Sequence, residues 1–322
     1  MPELKYPLFD GERVREGAAV SVENGVITAV RECDPAACGA GFLLPALIDS
    51  HVHIKASAQI EAMLRSGIAA VCDVSATSGE LAATSPHLTI VRSTRMAMGV
   101  VLDPRGYVEK AAASGAQYIK VLLLNPFSVG KSALRGIVRA AHERGLKVAV
   151  HATEVATVRQ AVETGADILL HVPMREALPA ELAAQIAAKG IAVAPTLVMM
   201  EAFARSARGG DYQNAENAVR LLHGCGVPIL AGTDANPGGY APAVGYGETL
   251  HRELELLVRA GLTPVEVLRA ATSASAEAFG LSAGRIAVGQ RASLLLVNGR
   301  PDRDITATRR IQKLWVNGEE LL

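Results

Sequence analysis

Eight short apolar runs alternate with helical patterns between residues 44 and 284, and this repeat limits the possible folds more than any other feature. Nearly continuous apolar runs of this length are typical of parallel strands that are buried on both faces. Three of the helical patterns end in glycine, as helices often do. The runs cover 46–53, 68–74, 88–93, 118–124, 147–152, 167–172, 191–197 and 228–234, and the three helical patterns cover 132–145, 155–165 and 179–190.

Eight such units in a segment of this size predict an α/β fold, specifically a (β/α)8 TIM barrel over residues 44–284. A doubly wound open sheet is the alternative. No G-x-G-x-x-G motif follows a strand in this chain, which argues against a dinucleotide-binding version of that alternative.

Both ends of the chain read differently from its middle, as short strands and turns. Residues 18–30 hold two valine-rich runs around Asn24 and Gly25, a strong hairpin signal. Similar β-rich segments return at 285–299 and 311–318. We therefore expect residues 1–43 and 285–322 to pair and to form one small β-domain beside the barrel.

The balance of charge excludes some classes of protein. The chain has 32 basic and 32 acidic side chains, whereas nucleic-acid binders usually have a basic excess. No apolar run approaches the length of a membrane span, and the first residues lack the apolar core of a secretory signal. The four cysteines, Cys33, Cys38, Cys72 and Cys225, follow no disulfide or zinc spacing. These features predict a cytoplasmic protein with reduced thiols and no nucleic-acid or membrane partner.

Polar side chains that can bind a metal end several of the apolar runs. His51 and His53 are two residues apart, so strand alternation puts both on the same side. His151, His171 and Asp234 end later runs. Each alone could be a structural hydrogen-bonding group or, for Asp234, a turn cap. Since the carboxyl ends of barrel strands meet at one face, their common position predicts a metal site there.

Lys120 lies inside the apolar run 118–124, where a charged amine is costly to bury. It could reach the rim of the barrel, or pair with Asp73 or Asp234. Burial alternatively lowers the pKa of a lysine. The neutral amine can then add carbon dioxide and become a carbamate, an anion with two oxygens that can bridge two metal ions.

This set of residues resembles the amidohydrolase superfamily, in its binuclear form with a carboxylated lysine. The N-terminal β segment, the junction at 46–53 and the segment 285–299 resemble the composite β-sandwich that flanks such barrels. The best resemblance is to the imidazolonepropionase-like and prolidase-like branch, and it is carried by 117–121, 191–197, 230–236 and 250–272. The chain departs from the family pattern at Ser293, where Asp is frequent, and after His171, where many prolidase-like members have Gly.

The resemblance implies a site and a reaction. His51, His53 and Asp234 would hold one divalent metal ion, and His151 and His171 a second, with zinc as the expected metal. Carboxylated Lys120 would bridge the two ions together with a hydroxide. The implied reaction is hydrolysis of a C–N bond in an amide, a dipeptide or a cyclic amide, by attack of that hydroxide. Asp234 would act as the catalytic proton shuttle.

Two other functions compete with this hypothesis. A mononuclear deaminase of an aminated heterocycle often has a glutamate three residues after the histidine of strand five, and Glu154 follows His151 at that spacing. Lys120 favours the binuclear hydrolase, since a deaminase does not need it. A non-catalytic amidohydrolase-like binding protein is the other alternative, but such proteins usually lose ligands, and all six positions are filled here.

Contacts to a small-molecule substrate are predicted from positions just beyond the strands. Arg95 either binds a carboxylate or forms a surface salt bridge. The segment 204–214 is either a mobile lid or a solvated loop. Apolar helix faces are compatible with a homo-oligomer. The predicted substrate-binding residues are Arg95, Asn125, Thr196, Met199 and Tyr240.

Overall fold

The computed structural model describes residues 3–74, 85–93, 95–124, 128–206, 210–239 and 241–322. Strands and helices alternate through the middle of the chain, so the predicted α/β class is confirmed. The strands are β1 Leu4–Phe9, β2 Val14–Glu23, β3 Val26–Glu32, β4 Phe42–Pro45, β5 Leu47–Val52, β6 Ile68–Asp73, β7 Thr89–Arg92, β8 Tyr118–Leu123, β9 Lys147–Ala152, β10 Ile168–Leu170, β11 Ala192–Ala194, β12 Leu294–Val297, β13 Ile311–Val316 and β14 Glu319–Glu320. The helices are α1 Ser57–Arg65, α2 Pro104–Ala113, α3 Lys131–His142, α4 Val155–Thr164, α5 Ala180–Ala188, α6 Leu197–Ala204, α7 Tyr212–Gly224, α8 Glu248–Arg259, α9 Pro264–Ala270 and α10 Ser273–Phe279.

Strands from both ends of the chain share one seven-stranded sheet, which confirms that the two ends pair. The strand order is β14-β13-β12-β4-β1-β2-β3. β2 and β3 form the predicted hairpin, and Asn24 and Gly25 at its turn have the positive φ angles that this turn requires. The last strand of the N-terminal group, β4, pairs with β12 in antiparallel register. β4 leads almost directly into β5, so this sheet anchors the strand that carries His51.

The strands of the middle segment are parallel and lie in two sheets, β5-β6-β7 and β8-β9-β10-β11. A parallel bridge between Ser93 and Tyr118 links the two sheets. The eighth predicted run forms bridges rather than a continuous strand: Ile229 pairs with Val193, and Ala235 pairs with Val52. Hydrogen-bonded pairs therefore lead from β5 through each sheet and back to β5.

Helix ends follow the sequence signals. Thr263 caps α9: its hydroxyl accepts from the Glu266 N–H, and the Glu266 carboxylate accepts from the Thr263 N–H at 2.8 Å. The helical pattern over 263–280 is divided into α9 and α10 in the structure. Gly165 ends α4 in the left-handed conformation, with φ 88°. These short-range signals fix where the helices begin and end.

The middle strands are buried on both faces: alternate residues pack with the helices in a large hydrophobic core, and the residues between them, such as Cys72 and Tyr118, form a separate core. A smaller core lies against the terminal sheet and includes Leu8, Val20 and Trp315. No helix among the described residues has both the length and the apolar content that crossing a membrane requires. The apolar runs of the sequence are thus used to bury the two faces of the strands.

Candidate metal centre

Six side chains meet in one cavity at the carboxyl ends of the parallel strands, and we call them the six-residue cluster. The cavity has a volume of about 640 Å³, and all six line it. Parallel strands bring their carboxyl ends to the same edge, which is why residues so distant in sequence are neighbours here. The cluster consists of His51, His53, Lys120, His151, His171 and Asp234.

Three members of the cluster form a compact group of ligand atoms. Asp234 Oδ1 lies 3.2 Å from His51 Nε2 and 2.8 Å from His53 Nε2. One ligand atom from each residue lies within 4.8 Å of the others, a separation that a single metal ion can span. The backbone supports the group, because the Asp234 N–H donates to the His51 carbonyl at 2.8 Å.

The other histidines are directly beside this group. The ring centroid of His171 lies 4.4 Å from that of His151 and 5.0 Å from that of His51. His151 Nε2 is buried and has no hydrogen-bond partner. An unpaired polar atom in the interior is costly, and a metal ion is one partner that removes the cost. The donor set and this unpaired nitrogen both fit a metal centre.

Burial keeps the imidazoles in the form that binds metals. It lowers the pKa of His51 to about 4 and that of His151 to about 3. Both rings are therefore neutral near pH 7 and keep a lone pair for an ion. Burial opposes ionisation of Asp234, but His51 and His53 outweigh it and hold the pKa of Asp234 well below its usual value. His51 and His151 thus offer neutral nitrogens, and Asp234 offers a carboxylate.

Lys120 is the buried amine of the cluster, with 2% of its surface exposed. Burial lowers the pKa of Lys120 to about 7, although the nearby Asp234 favours the charged form. At neutral pH, Lys120 is consequently a neutral amine in a large share of the protein molecules. This form is nucleophilic, and the ammonium form is not.

Thr196 holds His171 from behind. Its hydroxyl lies 2.7 Å from His171 Nδ1, which leaves Nε2 as the ring nitrogen available to a ligand. His171 and Thr196 both have positive φ angles, 74° and 52°. Such angles are strained for these residue types and persist where the surroundings impose them. Here the side chain of His171 points into the cavity, and that of Thr196 points at the His171 ring.

Glu253 imposes the turn that contains Thr196. It lies on α8 with no exposed surface, and its two carboxylate oxygens accept the N–H groups of Leu197 and Val198 at 2.9 and 2.8 Å. Burial raises the pKa of Glu253 to about 8 despite these two hydrogen bonds. The first N–H groups of α6 are thus satisfied by a side chain from another helix.

Asp49 plays a similar part for His51 and Asp234. It accepts from the His51 N–H at 3.1 Å, the Thr233 N–H at 3.0 Å and the Thr233 hydroxyl at 2.7 Å. These bonds tie the strand of His51 to the segment of Asp234, whose φ of 58° is also left-handed. Sequence reasoning missed both Asp49 and Glu253.

The predicted substrate contacts have mixed positions. Thr196 contacts His171, Met199 is fully buried in the core, and the neighbouring Met200 lines the cavity. Arg95 is exposed, and its carbonyl accepts from the Tyr107 hydroxyl. Asn125, Tyr240 and the centre of the segment 204–214 lie outside the described residues. Their assignment to substrate contacts or to a lid stays a prediction.

We expect Thr196→Val to weaken binding of one metal ion by about 10- to 100-fold without unfolding the protein, because it removes only the partner of His171 Nδ1. Competition with a chromogenic chelator measures this affinity. Thr164→Val is the matched control, since Thr164 is also buried but bonds within α4. Equal metal affinities for the two variants would contradict a positioning role for Thr196.

Comparison with known proteins identifies the family of this chain and structures with a similar fold. A model of the amidohydrolase family matches residues 42–321. No curated protein matches the chain. Among solved structures, a Xaa-Pro dipeptidase with bound methionine is 18% identical, with a TM-score of 0.82 and 99% of each chain covered.

Two further structures are similar at this level. A prolidase complexed with N-methylphosphonate-L-proline is 20% identical, with a TM-score of 0.78, 99% of this chain and 98% of that chain covered. Phenylurea hydrolase B is 17% identical, with a TM-score of 0.79, 99% of this chain and 96% of that chain covered. At these identities the likeness concerns the fold. Because the family match spans most of its length, the chain belongs to the amidohydrolase family.

Proposed function

We propose that the protein is a metal-dependent hydrolase that cleaves the C–N bond of an amide, a dipeptide or a cyclic amide. The observation that carries the proposal is the convergence of the six-residue cluster in one cavity. Membership of the amidohydrolase family supports hydrolysis at a general level. The similar folds of a Xaa-Pro dipeptidase and of a phenylurea hydrolase support a substrate of this kind.

We also infer that the middle strands close into the predicted (β/α)8 barrel over residues 44–284. The bridges that return from residues 229–235 to β5 support closure. Residues 1–43 and 285–322 would then form the composite β-sandwich, which the shared terminal sheet supports.

The contacts support the metal ligands that the family resemblance implies. His51, His53 and Asp234 would hold one ion, and His151 and His171 a second. Carboxylated Lys120 would lie between them. Bound divalent ions, with zinc as the expected metal, would lower the pKa of a water molecule and polarise a substrate carbonyl.

Asp234 would move the proton. Its Oδ1 faces His51 and His53, so Oδ2 is the oxygen that can accept a proton from the attacking water. The same oxygen would then donate that proton to the leaving nitrogen. Its left-handed backbone and the support of Thr233 and Asp49 hold the carboxylate in place for both transfers.

A mononuclear deaminase is the second candidate, because Glu154 lines the same cavity as His151. In that mechanism Glu154 would act as the acid and base, and Lys120 would have no role. The two candidates therefore differ in the number of ions bound and in the product released.

Metal content tests both candidates. We expect two divalent ions per chain after expression with added zinc, and loss of amide hydrolysis when a chelator removes them. Readdition of zinc should restore the activity. One ion per chain, with release of ammonia from an aminated ring and no amide cleaved, would favour the deaminase. A protein that binds no metal under these conditions would eliminate both.

A further inference from the structure

The cavity has a polar floor and a wall that is mainly apolar. The six-residue cluster forms the floor. Among the described residues, the rest of the lining includes four methionines, two leucines and a phenylalanine. Since the cluster supplies the groups for chemistry and metal binding, the apolar wall is left to contact the substrate.

The secondary structure turns this wall toward the cavity. Side chains alternate along β8, so Leu122 lies on the same face as Lys120, and Leu124 directly follows the strand; all three line the cavity. On α6, Met200 and Phe203 are three residues apart and therefore share one face of the helix. The β8 segment and α6 thus each contribute apolar side chains to the cavity wall beside the six-residue cluster.

Charged residues contribute little to this wall. Beyond the six-residue cluster, the charged lining residues in the described part of the chain are Lys55, Glu154 and Arg175. Lys55 and Arg175 are exposed to solvent. A charged substrate group placed against Leu122 and Leu124 would lose its hydration and gain no partner there.

We propose that the substrate has an uncharged, apolar side chain next to the bond that is cleaved, and that this wall binds it. The proposal rests on the proposed function and narrows its substrate class. Methionine side chains adapt to different shapes, so branched, linear and aromatic groups should be accepted with similar efficiency.

The test compares substrates that differ in one side chain. Metal-loaded protein is assayed with dipeptides and N-acyl amino acids in which the residue beside the scissile bond is Ala, Leu, Met, Phe, Asp or Lys. We expect kcat/KM for Leu, Met and Phe to exceed that for Ala by at least about tenfold. The Asp and Lys compounds should be the poorest substrates. Equal rates, or a preference for Asp or Lys, would overturn this inference and leave the hydrolase intact.

Binding gives a second measurement that does not depend on turnover. The test uses three hydroxamates that share one metal-binding group. Acetohydroxamate has no extension, 3-phenylpropionohydroxamate has an apolar one, and succinate monohydroxamate has a charged one. We expect the phenyl compound to bind at least about tenfold more tightly than the other two. If no amide is hydrolysed but this order holds, the proposed function fails and the apolar pocket stands. Equal affinities overturn the pocket.

A pair of variants locates the effect. Met98 lines the cavity and is 43% exposed, so a charge at this position can stay hydrated. Met98→Lys should reduce the preference for Phe over Asp substrates by about tenfold, while Met98→Leu should keep it. Val288→Lys is the control, because Val288 is 65% exposed and does not line the cavity. A Val288→Lys effect as large as that of Met98→Lys would refute the assignment.

Discussion

Asp234→Asn should lower kcat/KM for amide hydrolysis by about 10²- to 10⁴-fold, the usual contribution of a positioned acid and base. The amide of asparagine keeps the shape of the side chain and an oxygen near His51 and His53, but it cannot carry the proton. KM should change little, because the substrate is held mainly by the walls of the cavity.

Metal content must be measured on the same preparation, since Asp234 is also an expected ligand. Asp302→Asn is a matched control: Asp302 is similarly buried, with 7% of its side chain exposed, but is paired with Arg300. It should keep the activity of the parent protein. An Asp234→Asn variant that retains both its metal and its rate would show that another group moves the proton.

Lys120→Met should abolish binding of at least one metal ion and reduce kcat/KM by more than about 100-fold, since a lost ligand costs more than a lost supporting contact. Methionine suits the apolar strand and preserves its packing. The expected cause is loss of the carbamate. Protein prepared in ¹³C-labelled bicarbonate should therefore show one carbamate carbon signal that disappears in the variant.

A short carboxylic acid such as propionate should partly restore the activity of Lys120→Ala, because the truncated side chain leaves space in which the two carboxylate oxygens can replace those of the lost carbamate. Lys147→Met is the control, as Lys147 begins the adjacent strand β9 and bonds to the Glu277 carbonyl away from the cavity. If the parent protein has no carbamate signal and Lys120→Met remains fully active with two ions, the bridging role is wrong.

Sequence alone was sufficient to predict that five residues of the six-residue cluster lie together, since two simple periodicities place them. Alternation puts His51 and His53 on one side, and parallel strands bring His151, His171 and Asp234 to one edge. The polar character of these residues at the ends of apolar runs made them visible. The structure brings them together as that reasoning predicts.

The supporting residues were harder to find, because their partners are backbone groups far away in sequence. Glu253 contacts residues 197 and 198, and no local pattern predicts that contact. A signal did exist: Glu253 falls on the apolar stripe of α8 formed by Leu250, Leu254 and Leu257. A charged residue on the buried face of a helix needs a polar partner. For Glu253 that partner is the backbone at the start of α6, beside Thr196.

The wall of the cavity was predicted only in part, because a short apolar run does not show where a strand ends and a helix begins, or which side chains face the cavity. The run 191–197 reads as one strand, but β11 ends at Ala194 and α6 begins at Leu197. Once the helix begins there, Met199 turns into the core and Met200 into the cavity. The left-handed conformation of Thr196 determines which residues of α6 face the cavity. Threonine has no preference for this conformation, so the sequence does not indicate it.

The terminal sheet also has a consequence for the order of folding. β4 lies between β1 and β12, and β12 is made only after nearly all of the middle segment. Until then β4 has one unpaired edge, and such non-local pairing is slow and exposes the chain to aggregation. Since β4 leads into β5, which carries His51 and ends just before His53, both histidines gain their final anchor late. On the ribosome, the candidate metal centre should therefore be among the last parts of the protein to mature.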